Sequence, residues 1–164
     1  MLVPEYSYLL FRMDETRLMV EALLPEIDPN KEIYPGWTIR DLLAHMTGWD
    51  DATIDSLRSH ITGCPPSIPT IHSLDDYNAL TVSSRKELDF TQVLKEWRMT
   101  RNVLRTTIEQ MPEDKFLSPL SVPWGGKATV TNLVELFHDH DEEHLRDIRA
   151  WLEHPDIPIK KEGK

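Results

Sequence analysis

Apolar residues recur at helical spacing along almost the whole chain, and no stretch alternates long enough to suggest a sheet. That property confines the chain to helices packed on helices. The first helix is expected from about Pro4 to Leu24, with Tyr6, Leu9, Leu10, Met13, Val20 and Leu24 on one side and Pro25 and Pro29 ending it. After a turn at Tyr34-Pro35-Gly36, Thr38 reads as an N-cap with Asp41 three residues on. The second helix then runs to about Thr62, where Gly63 stops it. A long connection holding Pro65, Pro66 and Pro69 contains a short helix opened by Ser73, with Asp75 and Asp76 in its first turn. The third long helix spans about Thr91 to Met111, its stripe being Val93, Leu94, Trp97, Val103, Leu104, Ile108 and Met111. Arg101 interrupts that stripe, so it either snorkels or pairs. Pro112 ends this helix, and Ser118 to Lys127 reads as a loop. Thr129 or Thr131 caps the fourth, which ends near His154-Pro155.

The expected architecture is an all-α four-helix bundle, one domain over residues 1–155 with a loose tail over 156–164. The long connection between the second and third helices permits those two to run parallel. A chain of 164 residues suits one core. Its net charge of −10 argues against partners such as nucleic acid or an anionic membrane. Cys64 is the one cysteine and sits in Gly63-Cys64-Pro65-Pro66, so no intramolecular disulfide supports the fold. The first residues lack a basic stretch followed by an apolar run, and no apolar stretch approaches the roughly 20 residues that cross a bilayer. The expected location is cytoplasmic.

The histidines carry the functional signal. Three of the seven lie in Phe137-His138-Asp139-His140-Asp141-Glu142-Glu143-His144. Residues four apart on a helix share a face, so His140 and His144 point the same way. At roughly 100° per residue, Phe137, His140, His144, Ile148 and Trp151 fall within about 60° of Leu133. Both histidines therefore face the core, whereas His138 falls on the far side with Asp141 and Leu145 and is expected at the surface. His45 lies within an apolar face formed with Leu42, Trp49 and Ala52. Imidazoles in apolar stripes need partners. These are either hydrogen-bonding acids or a divalent metal held by all three histidines, with open positions for water or substrate.

Trp37-Thr38-Ile39-Arg40-Asp41-Leu42-Leu43-Ala44-His45-Met46-Thr47-Gly48-Trp49-Asp50 resembles the second helix of the DinB-like superfamily. His140-x-x-x-His144, followed by Leu145, Ile148 and Trp151, resembles that family's fourth-helix motif. The resemblance spans essentially the whole chain. It implies a four-helix bundle with a three-histidine divalent metal, commonly nickel or zinc, whose ligands fall on His45, His140 and His144. Met46 departs from the leucine common in the family, a change that volume tolerates. Leu74-Asp75-Asp76-Tyr77-Asn78-Ala79, leading to Arg85 and later Pro112-Glu113-Asp114, is similar to the ClbS/DfsB-like branch. That branch includes a self-protection protein that opens a strained ring in a genotoxin. Other members of the superfamily are transferases and isomerases that use low-molecular-weight thiols. Members often dimerise, so the resemblance also implies a homodimer.

A three-histidine metal activates a bound water or thiol, giving a metal-dependent hydrolase or transferase acting on a small electrophilic molecule. Two alternatives stand beside it: sequestration of a toxic small molecule without turnover, and a bundle with a structural metal or none. Glu143 and Asp50 are the candidate catalytic carboxylates, and Asp147 flanks the ligand face. Asp50 is expected near the bundle mouth. Trp49, Trp124 and Arg101 are candidate substrate-binding residues.

Overall fold

The computed structural model describes residues 4–160. Its long helices are α1 (Pro4–Leu23), α2 (Ile39–Thr62), α4 (Phe90–Glu109) and α6 (Val130–Glu153), with short helices α3 (Leu74–Ser83) and α5 (Glu113–Leu117) between them. Cap chemistry sets their ends. Thr38 N donates to Asp41 Oδ2 at 3.0 Å at the start of α2, and Gly63 closes that helix in the left-handed conformation, φ 74°. The Ser73 hydroxyl accepts from Asp76 N at 3.2 Å to open α3. Asp89 Oδ1 accepts from Gln92 N at 2.8 Å to open α4, and Thr129 Oγ1 accepts from Asn132 N at 3.1 Å to open α6.

The apolar stripes assemble into two cores. One holds Leu9 and Met13 of α1, Trp49 and Leu57 of α2, Leu104 and Ile108 of α4, and Leu133 and Phe137 of α6. The other holds Val20, Leu42 and Met46, Val93 and Trp97, and Ile148 and Trp151 from the same helices. Chain order across the two cores shows that α2 and α4 run parallel, and that α1 and α6 run opposite to them. The closest helix pairings are α2 with α4 and α1 with α6.

Between the cores lies a layer of buried charge with one residue from each long helix. Arg17 Nε donates to Asp141 Oδ2 at 2.9 Å and Arg17 Nη2 to Asp50 Oδ2 at 3.1 Å. Arg101 donates to both oxygens of Asp50, at 3.0 and 2.8 Å, and to Asp141 Oδ2 at 3.0 Å. The guanidinium of Arg17 also lies over the Trp97 ring, 4.6 Å from its centroid. Two cations and two anions leave this clasp neutral, which is what burial demands. Burial acting alone would raise the Asp141 carboxyl, but Arg17 and Arg101 override it and hold it at about 2.

Several expectations need correction. The Ser118–Lys127 stretch is not a plain loop, because β3 (Leu120–Ser121) and β4 (Lys127–Ala128) pair antiparallel across it. The expected turn at Tyr34-Pro35-Gly36 is present, with Gly36 at φ 79°, but two short strands flank it as a second hairpin, β1 (Glu32–Tyr34) with β2 (Trp37–Thr38). Val103 is 39% exposed although its spacing fits the α4 stripe. Of the tail beyond residue 155, Asp156 pairs with Lys31 at 2.7 Å and Ile159 N donates to Ile33 O at 2.7 Å. Residues 161–164 lie outside the described residues. No helix among the described residues is long and apolar enough to cross a membrane.

Candidate metal centre

α2 and α6 deliver the three histidines. His45 Nε2 lies 3.1 Å from His140 Nε2, which lies 3.1 Å from His144 Nε2. One nitrogen from each ring falls within 4.8 Å of the others. Nitrogens about 2.0–2.1 Å from a shared centre stand about 2.8–3.4 Å apart between octahedral and tetrahedral angles, so the 3.1 Å contacts fit a first-row divalent ion. A ring nitrogen has one in-plane hydrogen or lone pair. One hydrogen bond therefore accounts for one of the two contacts at His140 Nε2, whereas a cation among the three nitrogens accounts for both. The cluster can hold a metal ion.

The centre is buried on one side and open on the other. His144 and His45 are 0% and 2% exposed, while the His140 side chain is 28% exposed. Aromatic rings flank it: Trp37 stands 5.2 Å from His45 and Phe137 stands 6.4 Å from His140, between ring centroids. Behind His144, the Tyr34 hydroxyl lies 2.9 Å from Nδ1 and 2.5 Å from Asp147 Oδ2. Burial, reinforced by Asp147, pushes the Tyr34 phenol well above its ordinary value. Sequence reasoning missed Tyr34, because its place depends on how a short hairpin docks rather than on helical periodicity.

The other candidates fall in distinct places. Asp50 is not at the bundle mouth but 1% exposed inside the clasp, because two arginines make its burial affordable. Arg101 is likewise 7% exposed and paired inside the protein. Trp49 is buried, donates from Nε1 to Asn78 Oδ1 at 2.8 Å, and packs near Trp124 and Phe137. Trp124 is half-buried, and Glu143 is exposed, its charge adding slightly to the upward push on the Tyr34 phenol.

His138 is 6% exposed rather than on the surface, and Asp141 and Leu145 are buried with it. α6 packs against α1, so more of its circumference is covered than one stripe predicts. His138 Nδ1 lies 3.0 Å from Arg12 Nη2 and close to Asp139 and Glu142. A guanidinium on that nitrogen opposes a cation there. A cavity of about 570 Å³, lined by Ser56, Ser59, His60 and Lys127 among others, does not include the three histidines.

Four long helices in which two supply three converging imidazoles define a helical-bundle protein able to hold a metal ion. The sequence model of the DinB superfamily matches residues 10–148, and the chain belongs to that superfamily. Neither the curated proteins nor the solved structures contain a match to it.

Proposed function

We propose that this chain is a metal-dependent enzyme of the DinB superfamily, a transferase using a low-molecular-weight thiol or a hydrolase, acting on a small electrophile. His45, His140 and His144 are the metal ligands in this reading, with nickel or zinc favoured by the all-imidazole donor set. The convergence of three Nε2 atoms on one point carries the reading. When bound, the ion lowers the pKa of a water or thiol at its remaining positions.

The chain's own residues supply the rest. His45 and His144 hold their nitrogens in a dry wall, and His140 forms the side open to solvent. That half-open arrangement favours a reactive site over a closed structural one, which takes four protein ligands. Trp37 and Phe137 flank the histidines with apolar rings, limiting water and offering contact area to an uncharged substrate. Arg17 and Arg101 are already committed to Asp50 and Asp141, which favours an uncharged electrophile over an anion. Glu143, exposed and next in the chain to His144, is the carboxylate we assign to proton exchange with solvent. Self-protection of the ClbS/DfsB type is a narrower form of this reading, suggested by the Leu74–Ala79 stretch.

Metal content by plasma mass spectrometry, wild type beside His144→Ala, is the first test. Near-stoichiometric metal that is lost in the variant supports the site. Turnover of strained-ring and other electrophiles, with and without bacillithiol, mycothiol or glutathione, then tests the chemistry. A wild type that takes up neither nickel nor zinc sinks the reading. A protein that loads metal but only binds the electrophiles, without turnover, points to sequestration.

A further inference from the structure

We propose that Tyr34 is a positioning residue for His144: held by Asp147, it fixes the imidazole in the tautomer whose Nε2 is bare and faces the other two histidines. This rests on the metal reading above and adds a residue from outside the ligand helices.

The argument is one of donors and acceptors. The Tyr34 hydroxyl has one hydrogen, and both Asp147 Oδ2, at 2.5 Å, and His144 Nδ1, at 2.9 Å, lie within its reach. A carboxylate only accepts, so the phenol hydrogen goes to Asp147. The phenol oxygen then accepts from His144 Nδ1, which places that ring's proton on Nδ1. The lone pair is left on Nε2, the atom 3.1 Å from His140 Nε2. A hydrogen-bonded partner behind a ligand imidazole fixes its orientation and raises its basicity.

Tyr34 is itself well anchored. Ile33 and Tyr34 are 0% and 4% exposed. Trp151 Nε1 of α6 donates to Glu32 O at 2.9 Å, and Ile159 N donates to Ile33 O at 2.7 Å. The strand is thereby tied to the helix that carries His144, so the phenol cannot drift from the imidazole without breaking these bonds.

Tyr34→Phe keeps the ring packing and removes the hydroxyl. Asp147→Ala keeps the hydroxyl but frees its hydrogen to turn toward Nδ1, which favours the wrong tautomer. Two measurements test the proposal. In metal-free wild type, two-bond proton–nitrogen correlation spectra should show His144 protonated at Nδ1, and Asp147→Ala should show a tautomer mixture. In cobalt titrations against a competing chelator, both variants should bind about 10–100-fold more weakly than wild type. The cobalt absorption bands should change in both variants. Wild-type His144 protonated at Nε2 would overturn the proposal, and so would unchanged cobalt affinity and spectrum in both variants. Failure of wild type to bind cobalt, nickel or zinc would overturn the metal reading and this proposal with it. Should Tyr34→Phe fail to fold, Asp147→Ala still decides the matter, because Asp147 lies at the partly exposed edge of the site.

Discussion

His45 Nε2 and His140 Nε2 stand 3.1 Å apart although 95 positions separate them in the chain. An ion at that point joins α2 to α6, which belong to different helix pairs, so binding is linked to folding. Nickel or zinc at about 100 times its Kd should add about 2.7 kcal/mol of stability. For a chain of this size that is about 5–10 °C in Tm. Calorimetry with and without metal checks it. His45→Ala should retain a cooperative transition but lose the metal-dependent increment.

The clasp makes a second prediction. Removing the carboxylate of Asp50 leaves two buried guanidinium groups with Asp141 alone, so Asp50→Ala should cost about 3–5 kcal/mol. The double variant Asp50→Leu, Arg101→Met keeps the Arg17–Asp141 pair at 2.9 Å and stays neutral. Its loss should be smaller than the sum of the two single losses, as measured by urea midpoints.

Gly48 lies where α3 rests on α2. A Cβ there would stand 2.1 Å from Thr81 Cγ2 and 2.5 Å from Thr81 Cβ, both on a buried residue. Gly48→Ala should therefore displace α3 and cost about 1–3 kcal/mol. Amide exchange should quicken in Leu74–Ser83 while α6 keeps its protection. Equal protection in both helices would show that the contact yields without displacement.

Tyr77 supplies a pH dependence. Its hydroxyl donates to Gly48 O at 2.7 Å, and its phenol is pushed up to about 12, first by burial and then by Asp51. The folded state thus holds this proton more tightly than the unfolded chain, whose phenol titrates near about 10. The contribution is fully present below about pH 10 and is lost as pH rises through about 12. Tyr77→Phe should flatten that alkaline loss of stability in a denaturation series across the same range.

Helix ends and the shared facing of His140 and His144 were legible because local chemistry decides them. Thr38, Gly63, Ser73 and Thr129 cap helices where their side chains or backbone freedom predict. The four-residue spacing of His140 and His144 survives any packing of α6. The surroundings were less legible. His138 and Asp141 lie off the apolar stripe, yet both are buried because α1 covers that side of α6. Arg101 was visible as an interruption in its stripe. Its partners come from α2 and α6, and pairing between distant helices leaves no periodic trace. Tyr34 was hidden for the same reason.

The ionic layer between the two apolar cores also fixes how far each helix can slide along its neighbours. Apolar stripes are forgiving of axial shifts, since one leucine can replace another one turn along. Charges are not. A shift of one turn, about 5.4 Å, would carry Arg17, Asp50, Arg101 or Asp141 out of reach of its partners and strand a charge in the interior. The layer therefore acts as an axial index mark for the four helices. His140 sits one residue from Asp141 and His45 five from Asp50, so the same mark sets the height at which α2 and α6 present their imidazoles to each other.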